Sequence, residues 1–95
     1  DAANVGIVID VGHRNMVGDP VEALRIAGHH LITLHLHDNH GEQDDHLLPG
    51  RGNIDWDGVV KALDDVAYPG VFMYELDRAE DLADVRANAE QLQRG

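Results

Sequence analysis

Residues 34–56 read LHLHDNHGEQDDHLLPGRGNIDW, and this stretch is more informative than the rest of the chain. It holds four of the seven histidines and five of the eighteen acidic residues of the chain, and its first residues continue an apolar run. Imidazoles and carboxylates bind divalent cations through nitrogen and oxygen. The stretch therefore predicts a ligand-rich loop that begins where a strand ends.

Strand patterns alternate with helix patterns on both sides of this loop. The first strand pattern is apolar at odd and even positions, which is typical of a parallel strand covered on both faces. The second places Ile32, Leu34 and Leu36 on one face and its polar residues on the other. The loop over 38–54 is longer than most connections, which favours a functional role. The predicted strands are 5–11, 31–37 and 71–76.

The first two predicted helices have start or stop signals, and the last is predicted from the helical spacing of its apolar residues. Asp19 followed by Pro20 is typical of a helix N-terminus, Gly28 of a helix end, and Asp55 of an N-cap. The predicted helices are 20–27, 56–66 and about 79–92, and their expected buried positions are Val21, Leu24 and Ala27, then Val59, Val60 and Leu63, then Leu82, Val85, Ala89 and Leu92.

The order βαβαβα predicts an α/β fold with right-handed crossovers and a parallel sheet. A (β/α)8 barrel of about 250 residues spends roughly 31 on each unit, so 95 residues correspond to three-eighths of a barrel. We expect residues 1–95 to form a single partial barrel domain, completed by a missing N-terminal part or by oligomerisation. The start without methionine suggests a piece of a longer protein.

The composition of the chain limits the kinds of partner that it is expected to bind. The formal net charge of −11 disfavours nucleic acids and anionic membranes, and no apolar run is long enough to span a bilayer. The absence of cysteine fits a reducing compartment, so we expect a cytoplasmic location. A three-stranded parallel sheet has two unpaired edges and a bare face, which favours a homo-oligomer.

Reactive side chains in βα folds gather at the carboxyl ends of the strands. Asp10, His35 and Glu75 occupy these positions in the three predicted strands. Their oxygen and nitrogen donors suit Mn²⁺, Co²⁺, Mg²⁺ or Zn²⁺, although residues at such positions can also simply cap helices. A second group, His13, Asp44 and His46, could bind another metal or the substrate.

Five motifs in the same order resemble the last three βα units of the xylose isomerase-like barrels, which include sugar isomerases, ketose epimerases and inosose dehydratases. The motifs are IDVGH (9–13), LHLHDNHG (34–41), DDH (44–46), PGRGNIDW (49–56) and VFMYEL (71–76). The resemblance covers nearly the whole chain and implies the last three-eighths of a TIM barrel.

The resemblance also implies roles for individual residues. The family holds its metal with Glu, Asp, His and Glu from four successive strands, and Asp10, His35 and Glu75 match the last three. His13 matches a substrate-binding histidine, and Asp44 and His46 match the loop motif. The first glutamate of the set would lie before Asp1. In the epimerases of this family two glutamates act on opposite faces of a sugar carbon, and only Glu75 of that pair is present.

These implications favour a metal-dependent sugar isomerase or epimerase in which Glu75 moves a proton on a hydroxy-ketone sugar or sugar phosphate. One alternative is a zinc-dependent apurinic endonuclease of the same superfamily, in which the second group would bind one zinc and the strand-end group another. The net charge and the absence of basic clusters oppose it. Another alternative is a non-catalytic fragment that self-associates.

The remaining polar and aromatic residues receive structural interpretations. We expect surface positions for His29 and His30, and packing roles for Trp56 and Tyr68. Gly50 and Gly52 shape the loop. Solvated or supporting positions in the loop are expected for four further residues, namely His37, Asp38, His40 and Asp45.

Overall fold

The computed structural model describes residues 6–76 and 81–93. Its elements are β1 (Ile7–Asp10), α1 (Val11–Val17), α2 (Pro20–Ala27), a 3-10 turn (Gly28–His30), β2 (Leu31–Leu36), α3 (Trp56–Asp65), β3 (Phe72–Tyr74) and α4 (Leu82–Gln93). The strands form one parallel sheet in the order β1-β2-β3. The predicted α/β fold with a parallel sheet is thus confirmed. Within the described ranges, no helix has the length and hydropathy needed to cross a membrane.

Short polar side chains begin the predicted helices as expected. The Asp19 carboxylate accepts a hydrogen bond from the backbone N–H of Val21, and Pro20 opens α2. The Asp55 carboxylate likewise accepts from the N–H of Gly58 at the start of α3. These bonds satisfy donors that have no partner inside the helix. The starts of α2 and α3 were therefore readable from the sequence.

Helix α1 was not predicted. It is only seven residues long and buries only Val11 and Gly12, so it has no apolar stripe that a sequence pattern could show. The Asp10 carboxylate caps it by accepting from the N–H of His13 at 2.9 Å. As a consequence, β1 stops at Asp10 instead of Val11, and His13 lies in the first turn of a helix.

The predicted alternation along β2 is wrong at Ile32. Ile7 pairs with Leu31 and Val8 pairs with Thr33, so β2 carries an extra residue at this point. Because of this irregularity, Leu31 lies on the buried face of the sheet in place of Ile32, which is 62% exposed. An extra residue shifts every preceding side chain by one position, and this cannot be read from a period-two pattern.

Within residues 6–76 and 81–93, the helices and the core lie on one face of the sheet, and the other face is open. Leu34 and Leu36 of β2 are fully buried in a cluster that continues through Leu24 of α2 and Val59 of α3. On the open face Val8 is 52% exposed, which corrects the expectation that β1 is covered on both sides. The open face is the face that an intact barrel would enclose.

The last helix is less buried than its pattern predicts. Leu92 packs into the core, but Leu82 is 84% exposed. Strand β3 is three residues long instead of six, and α3 ends at Asp65. The predicted starts at Val5 and Ala79 lie outside the described residues.

Candidate metal centre

The three strand-end residues meet on the open face of the sheet. Asp10 ends β1 and pairs in register with His35 of β2. Glu75 follows β3, where its N–H donates to the Leu36 carbonyl at 3.0 Å. The Glu75 Oε1 atom lies 2.5 Å from His35 Nδ1, and one donor atom from each of the three residues lies within 4.8 Å of the others. Parallel pairing in register brings them together.

This strand-end trio has the composition of a divalent cation site. It offers two carboxylates and one imidazole, and its side chains are 18%, 30% and 37% exposed for Asp10, His35 and Glu75. Partial exposure leaves room for a further ligand on the open face. Mixed oxygen and nitrogen donors fit Mn²⁺, Co²⁺, Mg²⁺ or Zn²⁺, so the residues present fit the metal that the sequence predicted.

A second group, which we call the loop cluster, lies beside the trio. The structure brings His13, Asp44 and His46 together: His13 Nε2 lies 2.9 Å from Asp44 Oδ2, and His46 Nε2 lies 3.1 Å from Asp44 Oδ1. His46 has a φ of 54°, in the left-handed region, and its Nδ1 lies 2.7 Å from the Glu75 carbonyl. The long loop is therefore attached to the strand that carries the trio.

His37 is a fourth member of the loop cluster that sequence reasoning assigned to the solvated or supporting residues of the loop. It is fully buried, with Nε2 2.6 Å from Asp10 Oδ1, and its ring stacks on His46 with 4.0 Å between centroids. Among the residues that the structure describes, its Nδ1 has no hydrogen-bond partner. The burial depends on Gly12, since a Cβ there would lie within 3.0 Å of three ring atoms. His37 is two residues after His35, so the period of a strand places both side chains on the same face. This spacing was the sequence signal that could have placed His37 near the site.

Asp38 was also expected to be a solvated or supporting residue of the loop, and the structure shows that it is not solvated. It is fully buried, and its Oδ2 accepts hydrogen bonds from the backbone of Gly50 and Gly52 and from Trp56 Nε1 at 2.7–2.9 Å. Its Oδ1 accepts from the N–H of Asn39 and, at 3.2 Å, of Ile54. These five bonds fold the loop around one carboxylate, which is thereby committed to structure.

Glycines shape the loop as predicted. Gly50 has a φ of 101°, and a Cβ on Gly52 would overlap the Asn39 carbonyl. Of the remaining loop residues, His40 is exposed and Asp45 is half-buried. His29 is exposed, as expected for the surface. Trp56 is buried and packs in the core, as expected.

Three asparagines that the sequence did not single out tie α1 to the loop. Asn15 Nδ2 donates to Asn39 Oδ1 at 2.7 Å and to Asn53 Oδ1 at 2.8 Å. Asn39 Nδ2 in turn donates to the Gly12 carbonyl at 2.9 Å. Because α1 carries His13, this network fixes one side of the loop cluster.

The electrostatics of the loop cluster follow from its geometry. The hydrogen bond to Asp44 raises the pKa of His13, and the bond to the Glu75 carbonyl, supported by Asp44, raises the pKa of His46. Burial alone would raise the pKa of Asp44, but its hydrogen bonds to the two imidazoles outweigh burial and lower it. The group therefore attracts positive charge, whether protons or a cation.

Parallel strands with donor groups at their carboxyl ends define a portion of a βα barrel with a candidate metal centre. The sequence profile of the xylose isomerase-like TIM barrel family matches residues 1–94. The chain therefore belongs to that family.

Three relatives illustrate the range of the family. An uncharacterised protein of Methanocaldococcus jannaschii is 42% identical over 78 residues, which are 79% of this chain and 27% of that protein. The inosose isomerase of Bacillus subtilis is 32% identical, covering 81% of this chain and 30% of its own length. The D-psicose 3-epimerase of Enterocloster bolteae is 36% identical over 78% of this chain and 23% of its own length. The chain thus spans less than a third of these relatives.

Solved structures agree with the fold. A D-tagatose 3-epimerase-like protein superimposes with a TM-score of 0.76 at 35% identity, covering 99% of this chain and 35% of that one. The IolI protein, crystallised with a bound zinc atom, superimposes with a TM-score of 0.69 at 27% identity, covering 95% and 36%. The fold is that of a partial TIM barrel of the sugar isomerase and epimerase type.

Proposed function

We propose that this chain supplies the metal-binding and proton-transfer residues of a sugar isomerase or epimerase. The observation that carries the proposal is the convergence of Asp10, His35 and Glu75 within 4.8 Å on the open face. Relatives named inosose isomerase and D-psicose 3-epimerase support a sugar or sugar phosphate as the small-molecule substrate.

Asp10, His35 and Glu75 would hold the divalent cation. When bound, the cation would supply positive charge beside the oxygens of a hydroxy-ketone, where negative charge develops during proton transfer. Asp10 is oriented for this task by the N–H of His13 and by His37 Nε2, at 2.9 and 2.6 Å. Supporting bonds of this kind hold a ligand in place before the substrate arrives.

Glu75 is the candidate general base. It is the most exposed of the trio at 37% and lies on the open face, so its carboxylate can reach a substrate that approaches from that side. It would take the proton from the carbon next to the carbonyl and return it to the neighbouring carbon or oxygen. His35, at 2.5 Å from Glu75 Oε1, holds the carboxylate in position.

His13, Asp44 and His46 would bind the polar substituents of the substrate. They are half-exposed or exposed, with side chains 53%, 42% and 29% accessible, and they border the trio through Asp10 and Glu75. Imidazoles and a carboxylate can donate to and accept from sugar hydroxyls. Their position beside the trio would orient the sugar over Glu75.

Metal binding is tested by thermal unfolding with Mn²⁺ or Co²⁺. A cation at about 100 times its Kd stabilises the folded chain by about 2.7 kcal/mol, which corresponds to a rise in Tm of roughly 10–20 °C. Asp10→Ala combined with His35→Ala should abolish the rise, whereas the exposed control His40→Ala should keep it. An unchanged Tm in the parent would remove the metal from the proposal.

Proton transfer is tested by exchange in D₂O with D-fructose and Co²⁺. A single base suffices to place deuterium on the carbon next to the carbonyl, so the assay does not need a second glutamate. Glu75→Gln should abolish incorporation, and the exposed control Glu42→Gln should not. Zinc-dependent nicking of an abasic duplex, without exchange, would favour the endonuclease alternative instead.

A further inference from the structure

We infer that Asn88 of α4 is a positioning residue, which holds the long loop against the end of β3 and thereby places His46 beside Glu75. Its side chain joins two segments of the chain. The amide nitrogen donates to the Pro49 carbonyl at 2.7 Å, and the amide oxygen accepts from the Tyr74 hydroxyl at 2.9 Å. This role rests on the proposed function, because it concerns the placement of the proposed base.

The Tyr74 hydroxyl determines which way the Asn88 amide faces. Tyr74 packs against the core, and burial raises the pKa of its hydroxyl to about 12. The hydroxyl therefore keeps its proton and donates it to Asn88 Oδ1. The other end of the amide, its NH₂ group, then faces the Pro49 carbonyl, which can only accept. Both bonds thus require the same orientation of the amide.

The peptide between Pro49 and Gly50 is held at both of its polar atoms. A backbone hydrogen bond of 3.0 Å closes the turn over residues 48–51, and Gly50 has a φ of 101°. Proline followed by glycine with a positive φ is typical of a type II turn. The carbonyl of the central peptide accepts from Asn88, and its N–H donates to Asp38 Oδ2 at 2.8 Å. A type I turn would flip this peptide and break both bonds.

The orientation of this turn is passed to the loop cluster through Asp38. The backbones of Asp38 and Leu47 exchange hydrogen bonds of 2.7 and 2.9 Å, and Leu47 directly follows His46. The Nδ1 atom of His46 lies 2.7 Å from the Glu75 carbonyl. His46 therefore meets the end of β3 at a place that depends on the turn held by Asn88.

The end of β3 is attached to the loop at two neighbouring residues, whose side chains point to opposite faces of the sheet. Tyr74 reaches the loop through Asn88 on the helix side, and the Glu75 backbone reaches it through His46 beside the strand-end trio. Loss of Asn88 removes one of these attachments. A displacement of about 1 Å at a reacting group can lower a rate about 100-fold, so Glu75 should act more slowly without Asn88.

The tautomer of His46 tests this role in the metal-free chain without any activity. Above the raised pKa of His46 its ring is neutral, and the parent should carry the proton on Nδ1, because the Glu75 carbonyl can only accept. In Asn88→Ala, imidazole ¹⁵N resonances should show the proton shifting toward Nε2. The exposed control Gln91→Ala, on the same helix, should keep the tautomer of the parent.

Asn88→Asp provides the same test with less loss of packing. The carboxylate can accept from the Tyr74 hydroxyl but cannot donate to the Pro49 carbonyl, so the tautomer of His46 should shift here as well. A folded variant at Asn88 that keeps the tautomer of the parent would overturn the inference.

Deuterium exchange with D-fructose and Co²⁺ separates this role from the proposed function. In Asn88→Asp, kcat should fall about 10-fold or more and KM should rise, because both the base and a substrate-binding imidazole move. A smaller folded fraction alone would lower the apparent kcat and leave KM unchanged, which would contradict a positioning role. Tyr74→Phe keeps the bond to Pro49 and should lose less. A parent without exchange would remove the proposed function but leave the tautomer shift to be observed.

Discussion

At the scale of single residues, one carboxylate can organise more structure than a core side chain. The Asp38 carboxylate accepts five hydrogen bonds inside the protein, one from the N–H of Asn39 and four from the segment 50–56. In the unfolded chain these groups would form hydrogen bonds to water instead, so the net gain from each bond is small. Asp38 stabilises the fold mainly because its five donors would otherwise be buried without a partner.

Asp38→Ala should lower the free energy of unfolding by roughly 3–5 kcal/mol. The substitution leaves several buried donors unsatisfied, the indole N–H of Trp56 among them, and each costs about 1–3 kcal/mol before the loop relaxes. The measurement is chemical denaturation followed by far-UV circular dichroism. Asp45→Ala, in the same loop but half-buried, is the control and should cost less than about 1 kcal/mol. Equal losses of unfolding free energy in the two variants would contradict the conclusion that the Asp38 carboxylate holds the loop together.

The Asp44 carboxylate sets the protonation of its neighbours. Because the hydrogen bond to Asp44 is the largest cause of the raised pKa of His13, Asp44→Asn should lower that pKa toward 6.5. His46 should respond less, since the Glu75 carbonyl is its first cause. Imidazole chemical shifts followed against pH in the metal-free chain provide the measurement. A His13 titration unchanged by the substitution would contradict this account.

The same shifts fix the direction of the pH dependence. Since the folded pKa values of His13 and His46 lie above 6.5, the stabilisation they provide is complete below the unfolded value of 6.5 and is lost as pH rises through the raised values. Stability of the metal-free parent should therefore decrease over that interval, and the decrease should be smaller in Asp44→Asn.

At the scale of elements, α1 positions both groups of candidate ligands. Its cap is Asp10 of the trio, its first turn carries His13, and Gly12 leaves space for the His37 ring. A helix of seven residues has little stability of its own, so its cap and its asparagine contacts to the loop maintain it.

Gly12→Ala should destabilise the chain although it replaces glycine in a helix. Such a change usually stabilises by about 0.5–1 kcal/mol, but the new Cβ would overlap the ring of His37, and overpacking costs about 1–3 kcal/mol. We expect a net loss of roughly 1–2 kcal/mol in denaturant titrations.

Gly18→Ala is the matched control for this prediction. Gly18 follows the same helix as its C-cap, and its φ of 173° is available to any residue. A Cβ there would meet no atom of the described residues within 4 Å. The substitution should leave the free energy of unfolding unchanged or raise it slightly. A Gly12→Ala variant as stable as Gly18→Ala would show that His37 can leave its site without cost.

At the scale of the whole molecule, the open face of the sheet dominates the surface. Val8 and Met73 lie on it beside the strand-end trio, and they are 52% and 46% exposed. The helices of the described part of the chain pack on the opposite face. An apolar face of this kind is normally buried against protein.

The 95-residue chain by itself should self-associate through this face. Sedimentation velocity should show a weight-average mass that rises with concentration, and Val8→Ser with Met73→Ser should restore a monomer, because both changes remove apolar surface from the face. Val17→Ser is the control, since Val17 is 74% exposed at the end of α1. A parent that stays monomeric at every concentration would contradict the prediction.

The sequence by itself determined the parallel α/β order, the capped starts of α2 and α3, and the candidate donors at each strand end, because periodicity, caps and strand ends are local signals. Only the tertiary structure decided the exposure of Ile32, the burial of Asp38, and the seating of His37 against Gly12. Each of these depends on atoms distant in sequence: the strand register, the amides of a folded loop, and the space left by a glycine of α1. Contacts of that kind form only when the chain closes on itself.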